Sequence, residues 1–345
     1  MAQLSDLSHR FERFAEQECR NSSPLYERLS LGIAADSEIL AIASHVREGQ
    51  PVPNLFLGAA HLLLLKGAQH PVSTFYPSVS KSPTPDEDAY PYFREFCIQN
   101  SHEIIELIST RLVQTNVVKR CACLLPAFSI VAERAHGLPL SLVEIGASAG
   151  LNLLWDRYGY DYGEGRRYGN ASSIVQLACE PRGAALPSMF EPFPDIGLRV
   201  GIDLNPIDLN DPDAILWLRA LIWPEHTERV ETLKGAIEIA RHDPPTLLAG
   251  DALDLLPEVL DSAPDDSALC VFHTHTVNQF SEEGKERLHA IIDEHGSKRD
   301  LFVISIEGQS NVEGALVELI AYENGGMIRR ALAHCDPHGR WLEWL

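Results

Sequence analysis

Between Leu4 and His136 apolar residues return at helical spacing, as in Leu7, Phe11 and Phe14 and again in Ile104, Ile105, Ile108 and Leu112. No alternating run interrupts them, so this part is predicted to be an all-helical region. Pro77, Pro83, Pro85 and Pro91 break up Ser73–Pro91. Proline lacks an N–H and clashes with the preceding turn, so this stretch reads as a long connection bordering a candidate site. After Gly137-Leu138-Pro139 the pattern changes to short apolar runs alternating with amphipathic stretches, the form of parallel strands with crossover helices.

The chain therefore divides at this point into a helical region, 1–137, and an α/β domain, 138–345. Strands are predicted at Leu140–Ile145, Leu198–Asp203, Thr246–Ala249, Ala268–His273 and Leu301–Ile306, with helices near Leu151–Tyr158, Ala214–Ile222, Glu225–Arg241 and Glu282–Gly296. The tail, Ala315–Tyr322, Met327–His334 and Arg340–Leu345, reads as antiparallel, with Asn324-Gly325-Gly326 as a tight turn. The fold class expected is α/β: a Rossmann-like, mostly parallel sheet with a C-terminal antiparallel hairpin. Five parallel strands followed by a hairpin resemble the sheet of S-adenosylmethionine-dependent methyltransferases.

Composition narrows the classes. With 345 residues, 45% hydrophobic and 22% charged, the chain is long enough for two cores. Lacking any run of roughly 18 apolar residues, it reads as a cytoplasmic protein with no membrane span. A formal charge of -21 disfavours nucleic acid as a partner, because phosphate neutralisation needs clustered Lys and Arg. The 7 cysteines have no C-x-x-C pairing, so reduced, buried thiols are expected rather than a zinc site or a disulfide framework.

Candidate chemistry gathers at predicted strand ends. Glu144-Ile145-Gly146-Ala147-Ser148-Ala149-Gly150 lies between the first strand and a helix, where small residues let backbone approach a ligand. The same run contains G-x-S-x-G, in which a strained turn presents a serine nucleophile. A hydrolase sheet, however, places strands and an oxyanion loop ahead of that elbow, whereas this chain is helical there.

Asp203 ends the second strand and is a candidate acceptor for ribose hydroxyls. It lies 53 residues after Gly150, so something is inserted, and the Tyr-, Gly- and Arg-rich stretch points to a β-hairpin or lid around 157–197 that includes Tyr160. Asp251 and Ala252 follow the third strand, where an acceptor would meet adenine, although Asp251 also reads as a helix cap. His273, His275 and Asn278 lie at the fourth strand's edge. An H-x-H pair in extended chain could bind metal with Asp251 or Glu307, but ordinary hydrogen-bonding histidines are the reading preferred, and no metal is expected. Glu307-Gly308-Gln309 forms a further polar edge. No P-loop motif occurs.

The segments LGAAHLLLLKGAQHP, FYPSV, RLVQTNVVKRCACLLP, VEIGASAGLNLLWDRYGYDYG and GIDLNPIDLNDPDAILWLRALIWPE resemble the bacterial family called domain of unknown function 2332, over nearly the whole chain. The resemblance implies a helical region joined to a methyltransferase-like domain and carries no established reaction. It draws in Tyr76, Asn116 and Arg120, the last two set four residues apart on a presumed helix, as groups covering substrate or bridging domains.

The function expected is an S-adenosylmethionine-binding enzyme transferring methyl to a small molecule. Glu144, Gly146, Ser148 and Gly150 would meet the methionine end, Asp203 the ribose, and Asp251 with Ala252 the adenine. His273, His275 or Asn278 would orient or deprotonate the acceptor. The alternatives are a non-catalytic binding or scaffolding relative and a serine hydrolase using Ser148.

Overall fold

The computed structural model describes residues 2–189, 192–308 and 314–345. It divides into two compact units, Met1–Thr115 with Asn210–Glu231, and Asn116–Leu209 with Thr232–Leu345. The boundary thus falls at Thr115 rather than near 137, and residues 210–231 return to the helical unit.

In chain order the helices are α1 (Ala2–Phe14), α2 (Pro24–Ala34), α3 (Ser37–Ala43), α4 (Val52–Leu65), α5 (Ala89–Gln99), α6 (Ser101–Thr110), α7 (Cys121–Arg134), α8 (Pro212–Ala220), α9 (Thr227–His242), α10 (Ala252–Ser262) and α11 (Glu282–Gly296). The helical unit holds α1–α6 and α8. Leu7, Phe11 and Phe14 of α1 are buried, as their spacing requires. The unit packs around α4, whose Leu55, Phe56, Leu57, Ala59, Ala60 and Leu62 are buried on every side. Ser23 caps α2 ahead of Pro24, and Asp36 caps α3. The proline-rich connection contains short 3₁₀ turns at Pro71–Phe75 and Asp86–Asp88, and Pro91 sits in the first turn of α5, where its missing N–H is tolerated.

The second unit is built on strands β1 (Leu140–Ile145), β2 (Gly159–Asp161), β3 (Arg167–Gly169), β4 (Gln176–Ala178), β5 (Glu180–Gly183), β6 (Ile196–Asp203), β7 (Thr246–Ala249), β8 (Ala268–Thr274), β9 (Leu301–Gly308), β10 (Ala315–Glu323), β11 (Gly326–Cys335) and β12 (Trp341–Trp344). Nine form one sheet in the order β5-β12-β11-β10-β9-β8-β1-β6-β7. The run β7-β6-β1-β8-β9 is parallel, and β10, β11 and β12 continue it antiparallel. Every residue of β1 is buried, as a central parallel strand covered on both faces must be. Asn324 and Gly325, both at positive φ, join β10 to β11 in the tight turn anticipated.

Two expectations are corrected. Leu151–Tyr158 is not a regular α-helix: Leu151–Arg157 is a 3₁₀ stretch kinked at Leu154, so the glycine turn does not lead into an aligned helix dipole. Residues 111–117 are irregular and Val118–Arg120 is a 3₁₀ turn, so Asn116 and Arg120 do not share a helix face. In the insertion, β2 pairs with β3 as a hairpin, but β4 adds parallel to β2, and β5 pairs with β12 of the main sheet. No helix among the described residues is long and apolar enough to cross a membrane.

Candidate active site at the carboxyl edge of the sheet

β1 has β6 on one side and β8 on the other, so the strand order reverses there. In open parallel sheets the crevice outside such a reversal is where ligands bind. Ile145, the last residue of β1, is in register with Ile202 and His273, which brings the ends of three strands together.

The turn after β1 is tied down from both sides. Gly146 N–H and Ala147 N–H donate to Ile202 O at 2.8 and 3.3 Å. The Asn116 amide donates to Ala147 O at 2.8 Å. Asp203 accepts Ser148 N–H on Oδ2 and Asn205 N–H on Oδ1, each at 2.8 Å. Ser148 lies in the left-handed region at φ 53°.

Gly146 also has positive φ, and a Cβ placed on it would run into the side chain of Thr276. The room expected there for a ligand is therefore filled by the chain's own threonine. At Gly150 a Cβ would lie 2.7 Å from Pro245 and 2.9 Å from Leu247, again internal packing.

Glu144 is 1% exposed. The Asn152 amide donates to its Oε1 at 3.0 Å, and its Oε2 is buried with no partner. Burial pushes the Glu144 carboxyl up to about 8, with Asn152 and Arg120 acting against the rise and Asp203 adding to it.

Arg120 is 9% exposed and makes no ion pair among the described residues. Its Nε–H donates to Pro337 O at 2.8 Å and Nη1–H to Thr274 Oγ1 at 3.3 Å. Burial pulls this guanidinium down to about 10.

His273, buried, pairs with the half-buried Glu307, with Nδ1 to Oε1 at 2.7 Å. Thr276 and Val277 N–H groups also donate to Oε1, and Asn278 N–H donates to Oε2. Burial alone would raise the Glu307 carboxyl, but the hydrogen bonds from His273 and the backbone outweigh it and hold the group below its ordinary value. An ionised Glu307 accepts the Nδ1 proton, leaving the His273 lone pair on Nε2.

His275 departs from the extended chain assumed for an H-x-H pair. Its φ is 54°, so strand alternation ends at Thr274. Its Nε2 is buried without a partner, and burial, assisted by Arg120, lowers the imidazole to about 4. Among the described residues no three His, Cys, Asp or Glu side chains are grouped to hold a metal ion.

Asn116, Arg120, Glu144, Gly146, Ser148, Asp203, His273 and His275 thus gather at one edge of the sheet, Ser148 bonded directly to Asp203 and the others held through neighbours such as Ala147, Asn152, Ile202, Thr274 and Glu307. Four of their side-chain atoms, Asn116 Oδ1, Glu144 Oε2, Ser148 Oγ and His275 Nε2, are buried without a protein partner. Buried polar atoms are nearly always satisfied, so such a concentration marks a place for a ligand or ordered water. Ser148 has the backbone strain of a nucleophile elbow, but no histidine hydrogen-bonds its hydroxyl.

Other candidates have structural employment. Asp251 is exposed and caps α10, accepting Leu253 N–H at 2.9 Å, while Ala252 is buried as the first residue of that helix. Asn278 is exposed and its amide donates to Gly308 O at 3.0 Å. Tyr160 is buried with its hydroxyl on Trp155 O at 2.6 Å, so it packs the insertion. Tyr76 belongs to the helical unit, and Gln309 lies outside the described residues.

The sequence pattern does not single out Asn152 or Thr276 as site residues. The signal for Asn152 was an amide inside the apolar run Leu151-Asn152-Leu153-Leu154. Thr276 carried none, because its role depends on β8 standing next to β1.

No curated protein matches the chain. A family model matches residues 8–344, and the chain belongs to the family it describes, "Uncharacterized protein conserved in bacteria (DUF2332)".

Proposed function

We propose that this protein binds S-adenosylmethionine at the carboxyl edge of the sheet and transfers its methyl group to a small-molecule acceptor. The observation that carries this reading is the set of acids on neighbouring strands: Glu144 on β1, Asp203 on β6 and Asp251 after β7, beside buried polar atoms that lack partners. The strand order β7-β6-β1-β8-β9, with antiparallel β10 beside β9, agrees with a methyltransferase-like sheet.

Charge selects among nucleotide-like ligands. A pyrophosphate would meet the carboxylates of Asp203 and Asp251, whereas a ligand bearing ammonium and sulfonium groups suits an acidic edge. The unpartnered Oε2 of Glu144 fits an ammonium donor, which would favour its ionised form. Asp203 accepts backbone N–H on each oxygen, and a carboxylate oxygen has two lone pairs, so its residue type suits the hydroxyl groups of a ribose.

When bound, S-adenosylmethionine supplies an electrophilic methyl group for in-line attack. The protein's part is alignment and proton removal. His273, held by Glu307, offers Nε2 to the acceptor's proton, while Arg120, buried without a carboxylate partner, holds an anionic group of the acceptor.

Calorimetric titration with S-adenosylmethionine and S-adenosylhomocysteine tests this. Binding of either, weakened at least tenfold by Asp203→Ala in a variant that keeps its circular dichroism spectrum, is the expected result. Failure of both ligands to bind the unaltered protein overturns it.

A further inference from the structure

The helical unit contains a second arrangement of reactive type, made wholly from its own residues. His61, on α4, is 1% exposed. Its Nδ1 lies 2.9 Å from Ala220 O and its Nε2 2.7 Å from Ser78 Oγ. Ala220 is the last residue of α8, so its carbonyl has no intrahelical donor and can only accept. The Nδ1 nitrogen must therefore carry the proton, which leaves the Nε2 lone pair directed at the Ser78 hydroxyl.

Ser78 itself is half-buried, in the proline-rich connection. Arg219 Nη2–H donates to Ser78 O at 3.3 Å, and its Nε–H is buried with no acceptor. Arg219 makes no ion pair among the described residues. Beside His61, with ring centroids 5.5 Å apart, Tyr76 is fully buried and its hydroxyl also has no partner. A serine, an imidazole with a fixed tautomer, a carbonyl that orients it and two unsatisfied donors are the parts of a nucleophilic acyl-transfer site.

We propose that Ser78 is a nucleophile, His61 its base, and that the pair cleaves a small carboxylic ester. Ser78 Oγ attacks the carbonyl carbon while its proton passes to His61 Nε2, and the negative charge gathering on the carbonyl oxygen is met by Arg219. The carbon–oxygen bond to the leaving alcohol then breaks, and that oxygen takes the proton from His61. Water repeats the sequence on the Ser78 ester, releasing the acid and restoring the hydroxyl. Burial, with Arg219 adding to it, lowers His61 to about 4, so the imidazole is neutral and able to accept a proton throughout the neutral range. It is also a weak base, and turnover is correspondingly slow.

The experiment is exposure of the full chain to a fluorophosphonate, followed by intact mass and peptide mapping. One adduct, on Ser78, absent in Ser78→Ala and formed at least tenfold more slowly in His61→Gln, is expected. Should His61→Gln fail to fold, Arg219→Met provides the same comparison. No adduct, an adduct on another serine, or labelling of Ser78 at an unchanged rate in the folded variant overturns the proposal and leaves Ser78 as a fastening of the loop to α4. The readout is independent of S-adenosylmethionine binding.

Discussion

The Asn152 side-chain amide donates to one oxygen of Glu144 and leaves the other buried without a partner. Such a carboxyl is held by a single neutral donor in a place that disfavours charge, so its ionisation opposes folding. A carboxyl raised in the folded state binds more protons there than in the unfolded chain. The penalty is absent below 4.5, its ordinary value, and grows up to about 8. Glu144→Gln removes it while keeping an acceptor for Asn152. Urea unfolding is expected to give nearly equal stabilities for the two proteins near pH 4.5 and an advantage of about 4 kcal/mol for the variant near pH 8. Parallel pH profiles would refute this.

Ser148 combines a left-handed backbone with a buried hydroxyl that has no partner. Both features oppose folding, and glycine removes both. Ser148→Gly is expected to stabilise the protein by about 1 kcal/mol in denaturant titrations. A loss of stability would mean that the hydroxyl has a partner in solution that the protein's own side chains do not provide.

Gly146 tolerates no side chain, because Thr276 occupies the space and φ is 74°. Gly146→Ala should cost about 3 kcal/mol or more. Adding Thr276→Gly should recover the steric share and leave about 1 kcal/mol for the left-handed backbone. Thermal unfolding of the single and double variants checks the coupling, and strictly additive losses would contradict the contact.

Glu307 gathers His273 and three backbone N–H groups. Replacing it by glutamine puts an amide among donors, and a loss of about 2 kcal/mol at pH 7 is expected. Because the folded carboxyl lies below its ordinary value of 4.5, its contribution is present above that pH and disappears as pH falls through the folded value. The gap between the two proteins should therefore narrow in acid. A gap independent of pH would show that packing, not charge, is what the substitution disturbs.

Periodicity determined the helical first part, the five parallel strands and the antiparallel tail, and the Asn-Gly-Gly residue types determined the turn at Asn324. Burial is a property of each residue's own face, and helices and strands repeat that face every few positions. The acids were visible against the same pattern, Glu144 as a charge inside a buried apolar run and Asp203 and Asp251 at or just after the ends of theirs. Tertiary structure decided the rest. Whether residues 116–120 are helical depended on packing, and α7 proved to belong with the sheet. The closure of Gly146 by Thr276 and the His273–Glu307 pair exist because β8 lies between β1 and β9, an adjacency written in no local pattern, and the hold of Asn116 on Ala147 joins residues 31 apart in sequence. The left-handed turns at Ser148 and His275 are likewise imposed from outside, on residues whose own preferences run against them.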